Sequence, residues 1–237
     1  MDRVALVTGG SGALGKAIVR RLRADGLQVA FTYNSNKKAA DALAAESGAA
    51  AFKADLTNPS EVKSAIDAVL EQFSSIDVLV NNAGITQVLP FALIEEKDWD
   101  DVMAGNLKTM FLVTHEVVRH MISRKRGIII NIGSIAGHRL LEVPVHYATA
   151  KAGVSGFTLA LAQELSRYGI RVNSVVPGLL EAGVSNMVPE DRVSEYLRYC
   201  KAGRRGRMDE VASVVAFLAS DDASYVNAQN IFVDGGL

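Results

Sequence analysis

Seven short apolar runs punctuate the chain, at residues 4–8, 27–33, 49–54, 76–80, 128–132, 170–176 and 230–233. Most are solidly apolar rather than alternating, as in Ile128-Ile129-Ile130. A strand that is apolar on both sides must be covered on both faces, and sheets covered in this way are parallel. The intervening stretches have helical spacing. Residues 16–25 carry Ile18, Val19 and Leu22 on one side and stop at Gly26. Residues 37–46 are alanine-rich, and residues 60–73 place Val62, Ile66, Val69, Leu70 and Phe73 on one stripe. A long helix is predicted over residues 99–123, kinked near Gly105, and others over 147–168 and 210–220. Strands alternating with helices from end to end predict an α/β fold. Its form is a three-layer, doubly wound Rossmann-type parallel sheet of about seven strands, in a single domain spanning residues 1–237. Residues 179–207 are polar and glycine-punctuated, and read as a loop with one or two short helices, a substrate lid.

Composition bounds the functions such a fold can serve. The 237 residues are 49% hydrophobic and carry a net charge of −1. No global field draws the chain to nucleic acid or to an anionic membrane. Cys200 is the single cysteine, so no internal disulfide forms. No run approaches the ~20 apolar residues of a membrane span. The start, Met1-Asp2-Arg3-Val4, turns glycine-rich at once and does not resemble a leader peptide. The expectation is a cytoplasmic protein. The four histidines (His115, His120, His138 and His146) have no metal-ligand spacing, so no metal site is expected.

In a doubly wound sheet, ligands collect at the carboxyl ends of the strands. The unusual residues of this chain cluster there. A glycine loop follows the first run, Asp55-Leu56 the third, Asn82-Ala83-Gly84 the fourth, Ser134 the fifth and Pro177-Gly178 the sixth. The loop Gly9-Gly10-Ser11-Gly12-Ala13-Leu14-Gly15 contains G-x-G-x-x-G between a strand and a helix. Glycines there allow a tight turn and bring backbone N–H groups to a pyrophosphate at the positive helix end. The acid that selects NAD, about 20 residues on, is missing. In its place stand Tyr33-Asn34-Ser35-Asn36-Lys37-Lys38. Asn34 and Ser35 can bond a 2′-phosphate, and Lys37 or Lys38 can neutralise it. This favours NADPH over NADH.

Tyr147 and Lys151 stand four residues apart, on one helix face. An ammonium beside a phenol favours the phenolate and lowers the phenol pKa, which makes a tuned proton donor. The spacing alone is uninformative, since Tyr33 and Lys37 repeat it at a strand end. Weight comes from Ser134 upstream, whose hydroxyl can stabilise charge developing on a substrate oxygen. The G-x-S-x-G elbow of a hydrolase is absent around it.

These residues resemble the short-chain dehydrogenase/reductase family over essentially the whole chain. Thr8-Gly9-x-x-x-Ala13-x-Gly15 is similar to its T-G-x-x-x-G-x-G signature, with Ala13 replacing the middle glycine. Two glycine registers therefore coexist, and which N–H groups face the phosphates stays open. Asn81-Asn82-Ala83-Gly84, Pro177-Gly178 and Val233-Asp234-Gly235-Gly236 match further family elements. Asn106, Ser134, Tyr147 and Lys151 match the catalytic tetrad. The resemblance implies that Asn106 holds a water linking Lys151 to solvent, and that Lys151 also bonds the ribose hydroxyls. It implies cofactor contacts from Gly9, Gly10, Ser11, Gly12, Leu14, Gly15, Asn34, Ser35, Asp55, Leu56, Asn82, Ala83, Gly84, Tyr147, Lys151, Pro177, Gly178 and Leu180.

Within the family, residues 78–86 (V-L-V-N-N-A-G-I-T), the G-S-x-x-G turn and residues 215–221 (V-A-F-L-A-S-D) most resemble 3-oxoacyl-acyl-carrier-protein reductases. That implies NADPH-dependent reduction of a 3-oxoacyl thioester by a homotetramer, in fatty acid or polyketide biosynthesis. The substrate would be a small molecule or a carrier-bound acyl group. Two positions depart from the pattern. Ala182 stands where a Thr or Ser commonly holds the carboxamide, and Gly12 where an Arg commonly meets the 2′-phosphate. Basic residues around Lys125 and Arg167, and the cluster of Lys201, Arg204, Arg205 and Arg207, suggest docking of an acidic carrier protein. They are equally consistent with ordinary helix-end charges. Two other functions compete: a dehydrogenase of another secondary alcohol (a sugar, a steroid or a small hydroxy compound), and a nucleotide sensor without turnover. The intact tetrad speaks against the sensor.

Overall fold

Every strand of this chain lies parallel to its neighbours, in one sheet ordered β3-β2-β1-β4-β5-β6-β7. The computed structural model describes residues 3–139 and 141–237. Met1, Asp2 and Leu140 lie outside the described residues, and with them the start of the leader reading. The elements alternate as β1 (Val4–Val7), α1 (Ala13–Ala24), β2 (Gln28–Tyr33), α2 (Lys37–Ser47), β3 (Ala50–Lys53), α3 (Pro59–Phe73) and β4 (Val78–Asn81). Then follow α4 (Glu96–Met103), α5 (Thr109–Arg124), β5 (Gly127–Ile132), α6 (Val145–Leu165), β6 (Ile170–Pro177), α7 (Glu190–Tyr199), α8 (Met208–Ala219) and β7 (Asn230–Val233).

The solid apolar character of the strands follows from this arrangement. In β1, Ala5 and Val7 pack into one core with α1, α2 and α8, while Leu6 faces a second core with α3, α5 and α6. In β5, Ile128, Ile130 and Ile132 take the first side and Ile129 the second. Neither face is left for water, so no polar alternation survives. The chain winds from β1 outward to β3, then returns to place β4 on the other side of β1. The helices after β1 and β4 diverge at that point and leave a crevice at the strands' carboxyl ends.

One segment departs from the sequence expectation, the long helix, while residues 179–207 are a loop with short helices as expected. The long helix starts at Glu96 rather than Trp99, on a reciprocal cap in which Glu95 and Asp98 take each other's backbone N–H groups. Its kink near Gly105 is a π-helical segment, Ala104–Lys108. There Asn106 donates back to the Val102 carbonyl at 2.9 Å and Thr109 to Gly105 at 3.0 Å. Residues 179–207 form a short helical turn, Gly183–Met187, and α7. The base of this excursion is closed by Glu181 N–H to Gly206 O (3.0 Å) and Gly206 N–H to Leu179 O (2.9 Å).

Beneath the crevice, side-chain amides stitch the sheet to its helices. Asn81 Nδ2 donates to Thr114 Oγ1 at 2.9 Å and to Asn131 Oδ1 at 2.8 Å. Asn131 Nδ2 donates in turn to Thr158 Oγ1 at 2.9 Å. Asn131 and Thr158 are fully buried. A buried amide that loses its acceptor retains the cost of its desolvation. Thr158→Val is therefore expected to lower the unfolding free energy by about 1–3 kcal/mol in urea denaturation. An unchanged midpoint would show that Asn131 finds another acceptor.

Candidate active site

The site is assembled around Thr8, at the carboxyl end of β1. Its hydroxyl oxygen accepts the N–H groups of Asn82 and Ala83, each at 2.9 Å. Asn82 returns the contact, donating Nδ2 to Thr8 O (2.9 Å) and Gly9 O (3.2 Å). The glycine loop is thereby tied to the end of β4. Gly9 N–H reaches Thr32 Oγ1 at 3.2 Å and Gly10 N–H reaches Thr32 O at 2.9 Å. α1 begins at Ala13, with Gly12 as a cap that has no side chain. The first intrahelical bond is Lys16 N–H to Gly12 O. Ala13, Leu14 and Gly15 thus hold the unpaired N–H groups of the helix start, with no acid in the first turn.

This geometry separates the two glycine registers. Gly9, Ser11, Gly12, Ala13, Leu14 and Gly15 line the cleft, and Gly10 does not. Contrary to the sequence expectation, Gly10 is a packing residue. A methyl group on it would sit 2.5 Å from Phe31 Cβ, whereas one on Gly12 would meet only Gly9 O at 3.3 Å.

The cleft, about 450 Å³, runs from this loop past Asn34, Ser35, Asp55 and Leu56 to Asn82, Ala83, Gly84, Asn106, Ser134, Tyr147 and Lys151. It then passes Pro177, Gly178 and Leu180. A second cavity of about 230 Å³ has walls that include Val88, Ile135, Leu141, Val143, Leu179, Val188 and Tyr199. The two share Ser134, Tyr147, Gly178, Val184 and Ser185. Ser134 and Tyr147 therefore stand at the junction of an elongated cleft and a largely apolar pocket. The elongated cleft, ending on three free helix N–H groups, fits a dinucleotide.

α6 places Tyr147 and Lys151 one turn apart, and Lys151 Nζ is 5.9 Å from the Tyr147 ring centroid. Lys151 is buried and donates to Ile132 O at 3.1 Å. Burial lowers its pKa to about 8. The expected lowering of the phenol is not present in this structure. Burial pushes the Tyr147 phenol upward, and a hydrogen bond with Ser134 opposes it. The reason is geometric, since the one hydrogen bond of Lys151 goes to Ile132 rather than to the phenol. Ser134 Oγ accepts from Ala136 N–H at 3.2 Å, which leaves its own O–H to donate. Asn106 gives both protons of its amide nitrogen to backbone, at Ile85 O (2.8 Å) and Val102 O (2.9 Å). Its Oδ1 is buried without a partner among the described residues. A methyl group on Gly84 would lie 2.7 Å from that oxygen and 3.5 Å from Lys151 Nζ. Gly84 thus leaves space where the two polar groups converge.

Several peripheral expectations change. Lys37 does not line the cleft; it pairs with Asp41 on α2 at 2.7 Å. Asn36 lines it but accepts from Ala39 N–H as the α2 cap. The Asp55 carboxylate takes Thr57 N–H and Oγ1 at 2.9 and 2.7 Å, which holds it below its usual range. Ala182 lines the cleft, yet a hydroxyl arrives three residues later. Ser185 Oγ accepts Leu180 N–H at 3.1 Å and keeps its O–H to donate. No motif in the sequence marked Ser185. Arg204, Arg205 and Arg207 pair with Glu210, Glu190 and Asp209, and Arg124 with Asp77. Lys125 and Arg167 precede β5 and β6, at the strands' amino ends and across the sheet from Tyr147.

Comparison with known proteins follows the same lines. The family model described as enoyl-(acyl carrier protein) reductase matches residues 10–237. The 3-oxoacyl-[acyl-carrier-protein] reductase FabG of Vibrio cholerae is 37% identical over 238 residues, covering 99% of this chain and 97% of its own. Its counterpart in Staphylococcus epidermidis is 39% identical over 242 residues, with 100% and 99% covered. The crystal structure of levodione reductase superposes with a TM-score of 0.92 at 35% identity, over 99% of this chain and 97% of that one.

Two outcomes follow from the geometry. Gly10→Ala should lower the unfolding free energy by about 1–3 kcal/mol through overpacking. Gly12→Ala should cost less than about 1 kcal/mol, the loss of a cap; equal costs in urea denaturation would contradict the two registers. For Lys151, the folded pKa of about 8 lies below the unfolded value near 10.5. Between those values the unfolded chain binds more protons, so this group's contribution to stability rises with pH. Lys151→Met should therefore melt a few degrees above wild type at pH 7. That gap should narrow as pH rises from about 8 towards 10.5, and a pH-independent gap would show that the ammonium is not strained.

Proposed function

The chain belongs to the short-chain dehydrogenase/reductase family and is an NAD(P)H-dependent oxidoreductase, and from that premise we propose that it reduces the ketone of a 3-oxoacyl thioester to a 3-hydroxyacyl product. The observation that carries the chemistry is the junction of cleft and apolar pocket at Ser134 and Tyr147. A ketone entering from the pocket meets both hydroxyls there. The choice of acyl substrate rests on the full-length similarity to FabG proteins.

In the cleft lined by the glycine loop, Tyr147 and Lys151, a nicotinamide cofactor would be the source of hydride for the carbonyl carbon. Ser134 donates its O–H to the carbonyl oxygen and stabilises the charge that develops. Tyr147 gives that oxygen its proton as general acid. Lys151 places a cation beside the phenolate as it forms, which offsets the burial that otherwise holds the phenol proton. The same ammonium would bond the ribose hydroxyls. Lys151 then returns a proton to the phenolate and regains one from solvent, through a water that Asn106 holds on its unpartnered Oδ1. Ala13, Leu14 and Gly15 would hold the pyrophosphate through their backbone N–H groups. Ser185 replaces the hydroxyl missing at Ala182.

NADPH is the proposed reductant rather than NADH. No acid stands at the end of β2, and Asn34 and Ser35 line the cleft there. Residues 179–207 act as the substrate lid, since Arg192, Tyr196 and Tyr199 of α7 wall the apolar pocket. The protein works in the cytoplasm as a homotetramer; among the described residues no helix is long and apolar enough to cross a membrane. A carrier docked near Lys125 and Arg167 would serve the cleft of a neighbouring copy, because those residues lie across the sheet from this one. A second reading, reduction of a ketone that is not an acyl thioester, is favoured by the fit to levodione reductase.

The test is a panel of acetoacetyl thioester and cyclic ketones with NADPH and with NADH. The proposal expects the thioester with NADPH to give the highest kcat/KM, and a cyclic ketone ahead of it would select the second reading. Tyr147→Phe should lose about 10²–10⁴-fold in kcat with cofactor affinity retained. Undiminished turnover would refute the assignment of the acid.

A further inference from the structure

His146 stands directly before Tyr147, has no role in the chemistry above, and is fully buried. Its ring nitrogens have separate partners. Pro144 caps α6 without a side-chain bond, and Tyr147 N–H lies in the first turn, where no intrahelical acceptor exists. His146 Nδ1 accepts that N–H at 3.0 Å. An accepting Nδ1 puts the ring proton on Nε2. Nε2–H then donates to Gln87 Oε1 at 3.3 Å. Gln87 Nε2 donates to Asp98 Oδ1 at 2.6 Å, and Asp98 Oδ2 accepts Glu95 N–H at 3.0 Å. Both donors hold the Asp98 carboxylate below its usual range. Each member has one polarity available, so the direction of the chain is fixed from Tyr147 to α4.

Gln87 sits between Thr86 and Val88, and both flanking residues line the apolar pocket. The chain of bonds therefore links one wall of that pocket to the backbone of the proton donor. We propose that His146, Gln87 and Asp98 are positioning residues that hold the Thr86–Val88 wall in register with the Tyr147 phenol. They set where a ketone rests relative to its proton, and so act on substrate selection. This inference rests on the reading of Tyr147 as the acid. A helix staple with no such role would loosen cofactor and substrate sites alike.

Polarity provides the test. Gln87→Glu removes the donor facing Asp98 and sets two carboxylates against each other. KM for the best carbonyl substrate is expected to rise about tenfold, the size of one lost charge-assisted hydrogen bond. The NADPH dissociation constant, read by fluorescence, should stay within about twofold. Adding Asp98→Asn supplies a new amide donor to the new carboxylate, while its oxygen still accepts Glu95 N–H. The double variant should return KM to within about twofold of wild type. An unchanged KM in the single variant, no rescue in the double, or a cofactor constant that moves in step with KM would each overturn the relay. Nitrogen NMR of the His146 ring tests it without turnover. An Nε2–H ring is expected, and an Nδ1–H ring would overturn the relay whatever Tyr147→Phe shows. Undiminished turnover of Tyr147→Phe beside an Nε2–H ring would instead sink the acid assignment alone.

Discussion

The Thr8 hydroxyl, holding the Asn82 and Ala83 N–H groups, is the contact from which the rest of the site takes its geometry. β1 and β4 are adjacent strands whose following segments diverge, and only side chains and loop backbone can bridge the gap. Thr8 and Asn82 do so reciprocally, and they also set the glycine loop on the strand ends. With that loop fixed, the start of α1 faces the crevice with its free N–H groups outward. With Asn82 and Ala83 fixed, Gly84 leaves open the space shared by Asn106 and Lys151. A shift in the Thr8 contact would move the glycine-loop end and the Lys151 end of the cleft together.

The sheet was legible because its cause is local and repeated. Ile128-Ile129-Ile130 cannot be a half-solvated strand, and the same reasoning applies to β1 and β4. The carboxyl-edge placement of Ser134, Asn82 and the glycine loop follows once the sheet is parallel, and the structure brings them into one cleft with Tyr147 and Lys151. What escaped depends on partners distant in sequence or on one extra residue per turn. Gly105 marked a kink, but nothing in Ala104–Lys108 showed that the kink takes π-helical form. Gly10 and Gly12 differ only in what they face, and the deciding neighbour of Gly10 is Phe31 in β2. Lys37 had an available explanation in Asp41, four residues on, where an ordinary i,i+4 pair competes with any phosphate role. His146 looked idle because the chain of bonds that occupies it runs to Gln87 and Asp98.

The electrostatics of the site oppose its own stability. Lys151 is an ammonium in a buried position with a single carbonyl acceptor, and its pKa falls to about 8 accordingly. Tyr147 is pushed the other way, so in this structure its proton is held more firmly than in water. Both shifts have burial as their leading cause. They identify a site prepared for charge that it does not yet contain: a phenolate would relieve the ammonium, and the ammonium would relieve the phenolate. The pair is strained separately and complementary once a proton has left. The amide ladder of Asn81, Asn131 and Thr158 beneath it supplies the rigidity that keeps such a pair from relaxing apart.

Three separate stretches converge on that pair, and this separation bears on how the family varies. The glycine-loop end of the cleft comes from the β1–α1 loop, Tyr147 and Lys151 from α6, and the pocket walls from residues around Val88, Leu141 and Tyr199. The first two are fixed by backbone and buried side chains that meet at the sheet edge. The walls are joined to them through the apolar cluster of Ile135, Val176, Tyr196 and Cys200 and through hydrogen bonds: Gly206 N–H to Leu179 O, Ala202 N–H to Gly235 O, Tyr196 Oη bridging Leu179 N–H and Asp234 O, and the Gln87–His146 bond. Wall side chains that take no part in these ties can therefore change with little disturbance to the geometry of Ser134, Tyr147 and Lys151. A relative that changes its substrate while keeping Ser134, Tyr147 and Lys151 need alter only side chains that face the 230 Å³ pocket. On the proposed function, chemistry belongs to the sheet edge, which the sequence displays openly, and substrate choice to walls held by contacts between residues far apart in the chain.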